Sequence, residues 1–190
     1  MASIYTYDTV EQVFPKLNRV KEGEAIFTQP SSPIKCAGAP QKIMWLALNH
    51  WQNAGLYKND SSSPIKITFA QGMPTMFSVP HYSKVLDELR EERGVTGLFQ
   101  HNLVAIEDDA KTAVFQRPNG EQVKKSFDFM HVVPTMSPPD FLKKSSLANS
   151  GGYAEVDQGT LRHVKYNNVW SLGDSSSLPT SKTAAAITGQ

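Results

Sequence analysis

Apolar residues recur every three or four positions in three segments, which is the spacing of a helix with one buried face. These segments cover residues 8–18, 40–54 and 80–93, and the last two have a proline at their first turn. We therefore predict three helices. The first is expected to bury the side that carries Val10, Val13, Phe14 and Leu17. The third is expected to bury the side that carries Tyr82, Val85, Leu86 and Leu89.

Short apolar runs alternate with the second and third helices. "EAIFTQP" precedes the second helix and "IKITFAQ" precedes the third. This order of strand, helix, strand and helix predicts a parallel sheet with right-handed crossovers. "HNLVAIEDD", "TAVFQR" and "EQVKKSFDFMHVV" then predict an antiparallel meander with a turn at residues 118–120. We expect an α/β, Rossmann-like fold with an inserted β-meander, and a last strand at "NNVWSLGD".

Composition narrows the function classes. The chain has 190 residues, a net charge of +1 and 39% hydrophobic residues, enough for one domain or one and part of a second. The balanced charge argues against nucleic acid as a partner. The apolar runs are far shorter than the roughly 20 residues of a membrane helix. A single cysteine excludes an internal disulfide framework and a cysteine-based zinc site.

The sequence at both ends of the chain indicates that it is a piece of a longer protein. "MAS" is typical of an expression leader, and no secretory or transit pattern follows it. "TSKTAAAITGQ" begins a helix that stops within about two turns, too short to bury a full apolar face. We expect the helix to continue in a longer chain.

The only cysteine, Cys36, lies in the small-residue loop "KCAGAP" just before the second predicted helix. The positive end of that helix, with Lys35 and Lys42, favours the thiolate form, which is the nucleophile. The alternative is a buried cysteine that acts as a small apolar residue. The loop has one glycine where a dinucleotide-binding unit needs G-x-G-x-x-G, so we expect no NAD here.

Two other segments present carboxylates. In "VWSLGDSSSLPTSK", Asp174 follows a predicted strand, and a helix predicted to start near Thr180 could face a partly negative ligand group. The alternative is a plain turn and helix cap. In "MSPPDFLKK", Asp140 stands after two prolines, either as a presented carboxylate or in a stiff connection. The five histidines show no metal-ligand spacing, and no metal site is expected.

Three segments together resemble a known family: "CAGAPQKIMWL", "HVVPTMSPPDFLKKSSLA" and "YNNVWSLGDSSSLPTSKTAAA". They resemble the eukaryotic, mitochondrial type of sulfide:quinone oxidoreductase, a flavoprotein with two dinucleotide-binding-like domains. The resemblance implies that residues 1–135 form the second, NAD-domain-like domain, with the meander at about residues 95–133. Residues 136–190 then connect to a truncated C-terminal segment of the split FAD domain.

The resemblance also implies a chemistry. In this family two cysteines flank FAD, sulfide is oxidised to sulfane sulfur held as a persulfide, and electrons pass through FAD to quinone. The sulfur leaves on an acceptor such as glutathione or sulfite. Cys36 matches one cysteine of the pair, whereas the position of the second reads Ser175. A mitochondrial enzyme, peripherally associated with the inner membrane, is implied for the full-length protein.

Five further residues match family positions near the flavin: Asp174, Lys42, Asp140, Thr180 and Lys182. The missing Gly-rich fingerprint predicts that the isolated chain is inactive. Because serine cannot carry sulfane sulfur, Ser175 leaves two other hypotheses open. One is a catalytically impaired homologue that acts as a binding or regulatory domain. The other is a sulfurtransferase that depends on Cys36 alone.

Overall fold

The computed structural model describes residues 1–108 and 111–178, so the candidates Thr180 and Lys182 lie outside the described residues. The chain divides into two compact units. The first comprises Met1–Pro33 and Ala37–Thr135. The second comprises Ile34–Cys36 and Met136–Gln190, described up to residue 178. Each unit is described by itself below.

The first unit is built on a four-stranded parallel sheet with strand order β3-β2-β1-β7. Its strands are β1 (Gly23–Gln29), β2 (Ile65–Gln71), β3 (Thr96–Phe99) and β7 (Phe129–His131). The middle strands are rich in Ile, Phe and Thr, as expected for strands that are buried on both faces. Since β1 and β2 alternate with helices, the predicted crossover connections and the Rossmann-like α/β class are confirmed.

Helix α3 (Ala39–Asn53) covers one face of this sheet and confirms the second predicted helix. Its Trp51 is fully buried and meets Phe27 of β1 edge-on, with ring centroids 6.3 Å apart. Trp51 also meets Phe129 of β7 edge-on at 6.1 Å. Such edge-to-face contacts stabilise the packing beyond what the buried area of the aromatic rings contributes. The helix that follows the Cys36 loop is therefore held firmly on the sheet.

The first predicted helix is broken in two, α1 (Tyr7–Val10) and α2 (Val13–Arg19). Val13 and Leu17 are buried as expected, but Phe14 is 61% exposed and Val10 also faces solvent. The turn at residues 11–12 divides the helix, but Val10, Val13, Phe14 and Leu17 still line one apolar groove together with residues of α3. The four residues therefore lie on one side, as predicted, although only Val13 and Leu17 are buried.

Helix α4 (Pro80–Glu92) confirms the third predicted helix but not its buried face. Tyr82 is 59% exposed and Val85 is also exposed, whereas Ser83 is buried. Arg90 takes the place of an apolar residue: its guanidinium lies 5.6 Å from the Phe99 ring centroid and donates to the Val95 carbonyl at 2.7 Å. A long cationic side chain can cover apolar surface in this way, which the hydrophobic pattern does not reveal.

An antiparallel meander of β4 (Asn102–Ile106), β5 (Thr112–Gln116) and β6 (Gln122–Ser126) confirms the predicted insertion. Its third predicted strand is in fact two, because β6 stays in the meander while β7 joins the parallel sheet. Asp128 marks the break. Its N–H donates to the Glu24 carbonyl at 2.8 Å, and its carboxylate accepts from the Glu24 N–H at 2.9 Å.

The second unit has little regular structure: helix α5 (Asp140–Lys143), a 3₁₀ turn at Gly173–Ser175 and isolated β-bridges. The strand predicted at "NNVWSLGD" is not formed, because only Trp170 pairs, with Arg162, in a single bridge. Tight turns on either side of that bridge leave no length for a ladder. Among the described residues, no helix combines the length and apolar character needed to cross a bilayer.

Candidate functional site

Cys36 lies in the loop between β1 and α3, and its side chain is exposed. Its backbone has φ of +56°, a left-handed conformation that non-glycine residues seldom adopt. The N–H of the preceding residue, Lys35, donates to the Met136 sulfur at 3.2 Å. The loop therefore bends sharply at the cysteine and presents the thiol at the surface of the second unit.

Asp174 and Ser175 lie together on the 3₁₀ turn Gly173–Ser175, and both are exposed. Gly173 has φ of +75°, which glycine adopts without strain and which lets the chain turn here. The Ser175 hydroxyl lies 3.1 Å from the Ser171 hydroxyl and 3.3 Å from the Leu172 carbonyl, to which it donates. The turn thus offers a carboxylate and a hydroxyl side by side.

Backbone bonds fix this turn to the rest of the second unit. The Ser175 carbonyl accepts from the Ala154 N–H at 2.9 Å, and the Ser177 N–H donates to the Ala154 carbonyl at 2.9 Å. Between them Ser176 is fully buried, and its hydroxyl donates to the Gly173 carbonyl at 2.8 Å. The position of Ser175 is therefore set by the fold, whereas its side chain stays accessible.

Asp140 is the first residue of α5 and is largely exposed. Its carboxylate forms an ion pair with Lys144, one turn further on, at 3.2 Å. Exposed pairs of this spacing contribute little to stability, and a carboxylate in the first turn suits the positive end of a helix. This geometry agrees with a local role as an acidic residue in the first turn of a helix and leaves the flavin-related role a prediction.

The candidates divide between the two units. Cys36, Asp140, Asp174 and Ser175 belong to the second unit, whereas Lys42 is an exposed residue in the first turns of α3 in the first unit. The sequence predicted neither Ser171 nor Met136. Ser171 lies four residues before Ser175, and Met136 lies just after the meander. Neither position carries a sequence signal of a contact. The Met136 contact joins residues 101 positions apart, which no local pattern reports.

The histidines that are buried serve structure. His163 of the second unit donates from Nε2 to the Leu147 carbonyl at 3.0 Å, and its Nδ1 accepts from the Lys165 N–H at 3.0 Å. Both ring nitrogens are thereby used. Within residues 1–108 and 111–178, no group of three His, Cys, Asp or Glu side chains could hold a metal ion.

Asp157, in a turn of the second unit, is stabilised as an anion. The hydroxyl and N–H of Thr160 both donate to Asp157 at 2.9 Å. These bonds lower the pKa of Asp157 below its ordinary value. The carboxylate thus fixes a turn rather than serving as a proton donor.

Comparison with curated proteins gives relatives that match the whole chain. It is 47% identical over 192 residues to the mitochondrial sulfide:quinone oxidoreductase of Dictyostelium discoideum. It is 42% identical over 193 residues to the enzyme of the same name from Mus musculus. The chain spans 41% and 42% of the lengths of these relatives. No protein-family profile matches it.

Solved structures support the fold. The sulfide:quinone oxidoreductase of Aquifex aeolicus superimposes on 94% of the chain with a TM-score of 0.76 at 16% identity, and the chain covers 42% of it. Lactococcus lactis thioredoxin reductase superimposes on 92% with a TM-score of 0.58 at 10% identity, and the chain covers 52% of it. At such identities only the fold is shown, and it is the mixed α/β fold that the chain shares with these two proteins. The resemblance to the mitochondrial sulfide:quinone oxidoreductases is thus confirmed along the whole chain.

Proposed function

We propose that the chain is part of a flavoprotein that oxidises hydrogen sulfide to sulfane sulfur and passes the electrons through FAD to quinone. The observation that carries this proposal is the similarity of the whole chain, at 42–47% identity, to enzymes named mitochondrial sulfide:quinone oxidoreductases. The exposed Cys36 supports it, because a nucleophilic thiol must be accessible to its substrate. A mitochondrial location and peripheral association with the inner membrane belong to the same proposal.

The role we assign to Cys36 is to hold sulfur. Its thiolate joins the sulfur of hydrosulfide in a new S–S bond, which gives a persulfide and releases one proton and two electrons. Quinone is the final acceptor of the two electrons. The outer sulfur then moves to an acceptor such as glutathione or sulfite: the S–S bond breaks, and Cys36 returns to the thiolate.

We propose that Asp174 of the second unit contacts FAD in the full-length protein. The Asp174 carboxylate is exposed on its turn, and a carboxylate accepts hydrogen bonds from hydroxyl groups such as those of a ribityl chain. Lys42, Asp140, Thr180 and Lys182 stay predictions for this cofactor. When bound, FAD supplies two-electron acceptance and return to quinone.

The serine at position 175 restricts which catalytic cycle the protein can use. A hydroxyl cannot form a disulfide or carry sulfane sulfur, so a cycle that needs two cysteines cannot use this turn. Its hydroxyl instead pairs with Ser171 and the Leu172 carbonyl. We propose that sulfur stays on Cys36 alone, with a lower rate than a two-cysteine site would give.

The test uses the full-length protein loaded with FAD and measures sulfide-dependent reduction of a soluble quinone. Cys36→Ser is expected to lower the rate at least about 100-fold, as removal of a nucleophile does. Ala37→Ser, which puts a serine at the adjacent exposed position, is the matched control and should stay near the wild-type rate. Equal rates for Cys36→Ser and wild type would contradict the proposed role.

A second candidate is a catalytically impaired homologue that serves as a binding or regulatory domain. Ser175 is the specific observation that favours it. The full-length protein with Ser175→Cys distinguishes the two. If the wild type is inactive and this variant oxidises sulfide, the impaired homologue is correct. If the wild type already turns over, the enzyme proposal is correct. Sulfur transfer from Cys36 without flavin would instead support the sulfurtransferase.

A further inference from the structure

Among the described residues, the buried side-chain atoms without a hydrogen-bond partner gather at one end of the first unit. They are the Oε1 atoms of three glutamines, the Ser32 hydroxyl and Nδ1 of His131; the glutamines are Gln29, Gln41 and Gln71. Gln29, Gln71 and His131 are the last residues of β1, β2 and β7, and the other two follow β1. This is the carboxyl edge of the parallel sheet.

The three glutamines are neighbours. Gln29 and Gln71 are directly paired across β1 and β2, where strands lie about 4.8 Å apart. Since side chains alternate along a strand, both face the same side as Phe27 and Phe69, which is the side covered by α3. Gln41 lies in the first turn of that helix.

Two of the amides hold the same short stretch of the loop after β2. The Gln41 Nε2 donates to the Met76 carbonyl at 2.6 Å, and the Gln71 Nε2 donates to the carbonyl of the adjacent residue, Thr75. Because consecutive Cα atoms are only about 3.8 Å apart, the two amide groups lie close together.

These bonds also fix which way each amide points. A carbonyl can only accept, so the NH₂ group of each side chain must face it and Oε1 must turn away. Gln41 is 3% exposed and Gln71 is 1% exposed. Each Oε1 is therefore a buried acceptor that requires a donor, and a buried acceptor left unpaired destabilises the fold.

We propose that ordered water molecules occupy this edge and donate hydrogen bonds to the Oε1 atoms of Gln29, Gln41 and Gln71. The three oxygens are neutral acceptors, and one water supplies two donors and can bridge them. In open α/β sheets this edge is the usual ligand site, and the proposed water molecules would satisfy the buried amides there.

A crystal structure of the full-length protein at about 1.5 Å resolution tests the site directly. It should show water within hydrogen-bond distance, about 2.7–3.2 Å, of Oε1 on at least two of the three glutamines. Empty density at these oxygens, protein donors in their place, or a metal cation with short oxygen contacts would each overturn the proposal.

The energetic test uses Gln29→Met, because no hydrogen bond of the Gln29 side chain has to be broken by this substitution except the proposed one. If water binds there, the melting temperature should fall by about 2–6 °C, the loss expected for one buried hydrogen bond. Gln116→Met makes the same chemical change at an exposed position of β5 and should leave the melting temperature unchanged. A folded Gln29→Met protein that melts at or above the wild-type temperature contradicts the proposal.

Discussion

At the scale of single residues, His131 shows how burial decides protonation. It is fully buried and stacks on Phe27 with ring centroids 6.1 Å apart. Its Nε2 accepts the Ile4 N–H at 3.1 Å, which places the ring proton on Nδ1. Burial lowers the pKa of His131 from 6.5 to about 4. The ring is therefore neutral at physiological pH and serves as an acceptor within the core.

This lowered pKa predicts an acid-sensitive fold. The unfolded chain binds a proton near pH 6.5 whereas the folded chain binds it near 4, so the stabilisation is complete above pH 6.5. As the pH falls from about 6.5 to about 4, the free energy of unfolding should drop by up to about 3 kcal/mol. Urea denaturation of the chain at several pH values measures it. His131→Gln, which keeps an acceptor, should flatten the curve over this window; an unchanged slope would refute the assignment.

Gly72 is a residue whose lack of a side chain is required. A Cβ there would lie 2.5 Å from the Ser31 backbone nitrogen and 2.8 Å from the Ser31 Cβ. Gly72→Ala should therefore destabilise the first unit by about 1–3 kcal/mol through overpacking. Gly159→Ala, whose added carbon meets nothing closer than 3.6 Å, is the control. Thermal unfolding measures the stability of both variants. An equally small loss of stability in Gly72→Ala and Gly159→Ala would contradict the close approach of Ser31 to Gly72.

At the scale of elements, the sequence pattern predicted α3, β1 and β2 well because each buries a regular apolar face. It failed where tertiary contacts override periodicity. Residues 8–18 have a helical pattern, yet a turn divides them and leaves Phe14 exposed. Helix α4 buries Ser83 and covers Phe99 with Arg90 instead of burying Tyr82. An apolar stripe predicts a helix more reliably than it predicts which side of that helix is covered.

The unequal burial of Leu17 and Phe14 on α2 can be tested by a matched pair of substitutions. Leu17→Ala removes a buried side chain and should cost about 2–4 kcal/mol of unfolding free energy. Phe14→Ala removes a larger but exposed side chain and should cost clearly less. Urea denaturation provides both values. Equal losses would contradict the exposure of Phe14.

At the scale of the whole molecule, the fold class and the family resemblance could be predicted, because both rest on long ordered patterns. The site could be predicted only residue by residue. The motifs predict Cys36 and Ser175 as site residues, whereas the hydroxyl pair of Ser175 with Ser171 and the contact of Lys35 with Met136 arise from folding and have no sequence signal. The chain spans about two fifths of the length of its curated relatives.

The isolated chain is expected not to retain flavin. No G-x-G-x-x-G motif occurs in its 190 residues, and that motif is what brings a helix N-terminus against a pyrophosphate. The chain, purified alone and mixed with FAD, should release the cofactor on gel filtration. Full-length protein, treated identically, is the control. A yellow isolated chain with one FAD per molecule would show that the flavin site is complete within it.

The central claim is that Cys36 carries the sulfur, and mass spectrometry tests it most directly. Full-length protein with FAD is mixed with sulfide and quinone but no sulfur acceptor, alkylated, digested and analysed for the peptide that contains Cys36. The account predicts one additional sulfur atom on Cys36, lost when glutathione or sulfite is added. Reduction of quinone by sulfide while Cys36 remains an unmodified thiol throughout would contradict it.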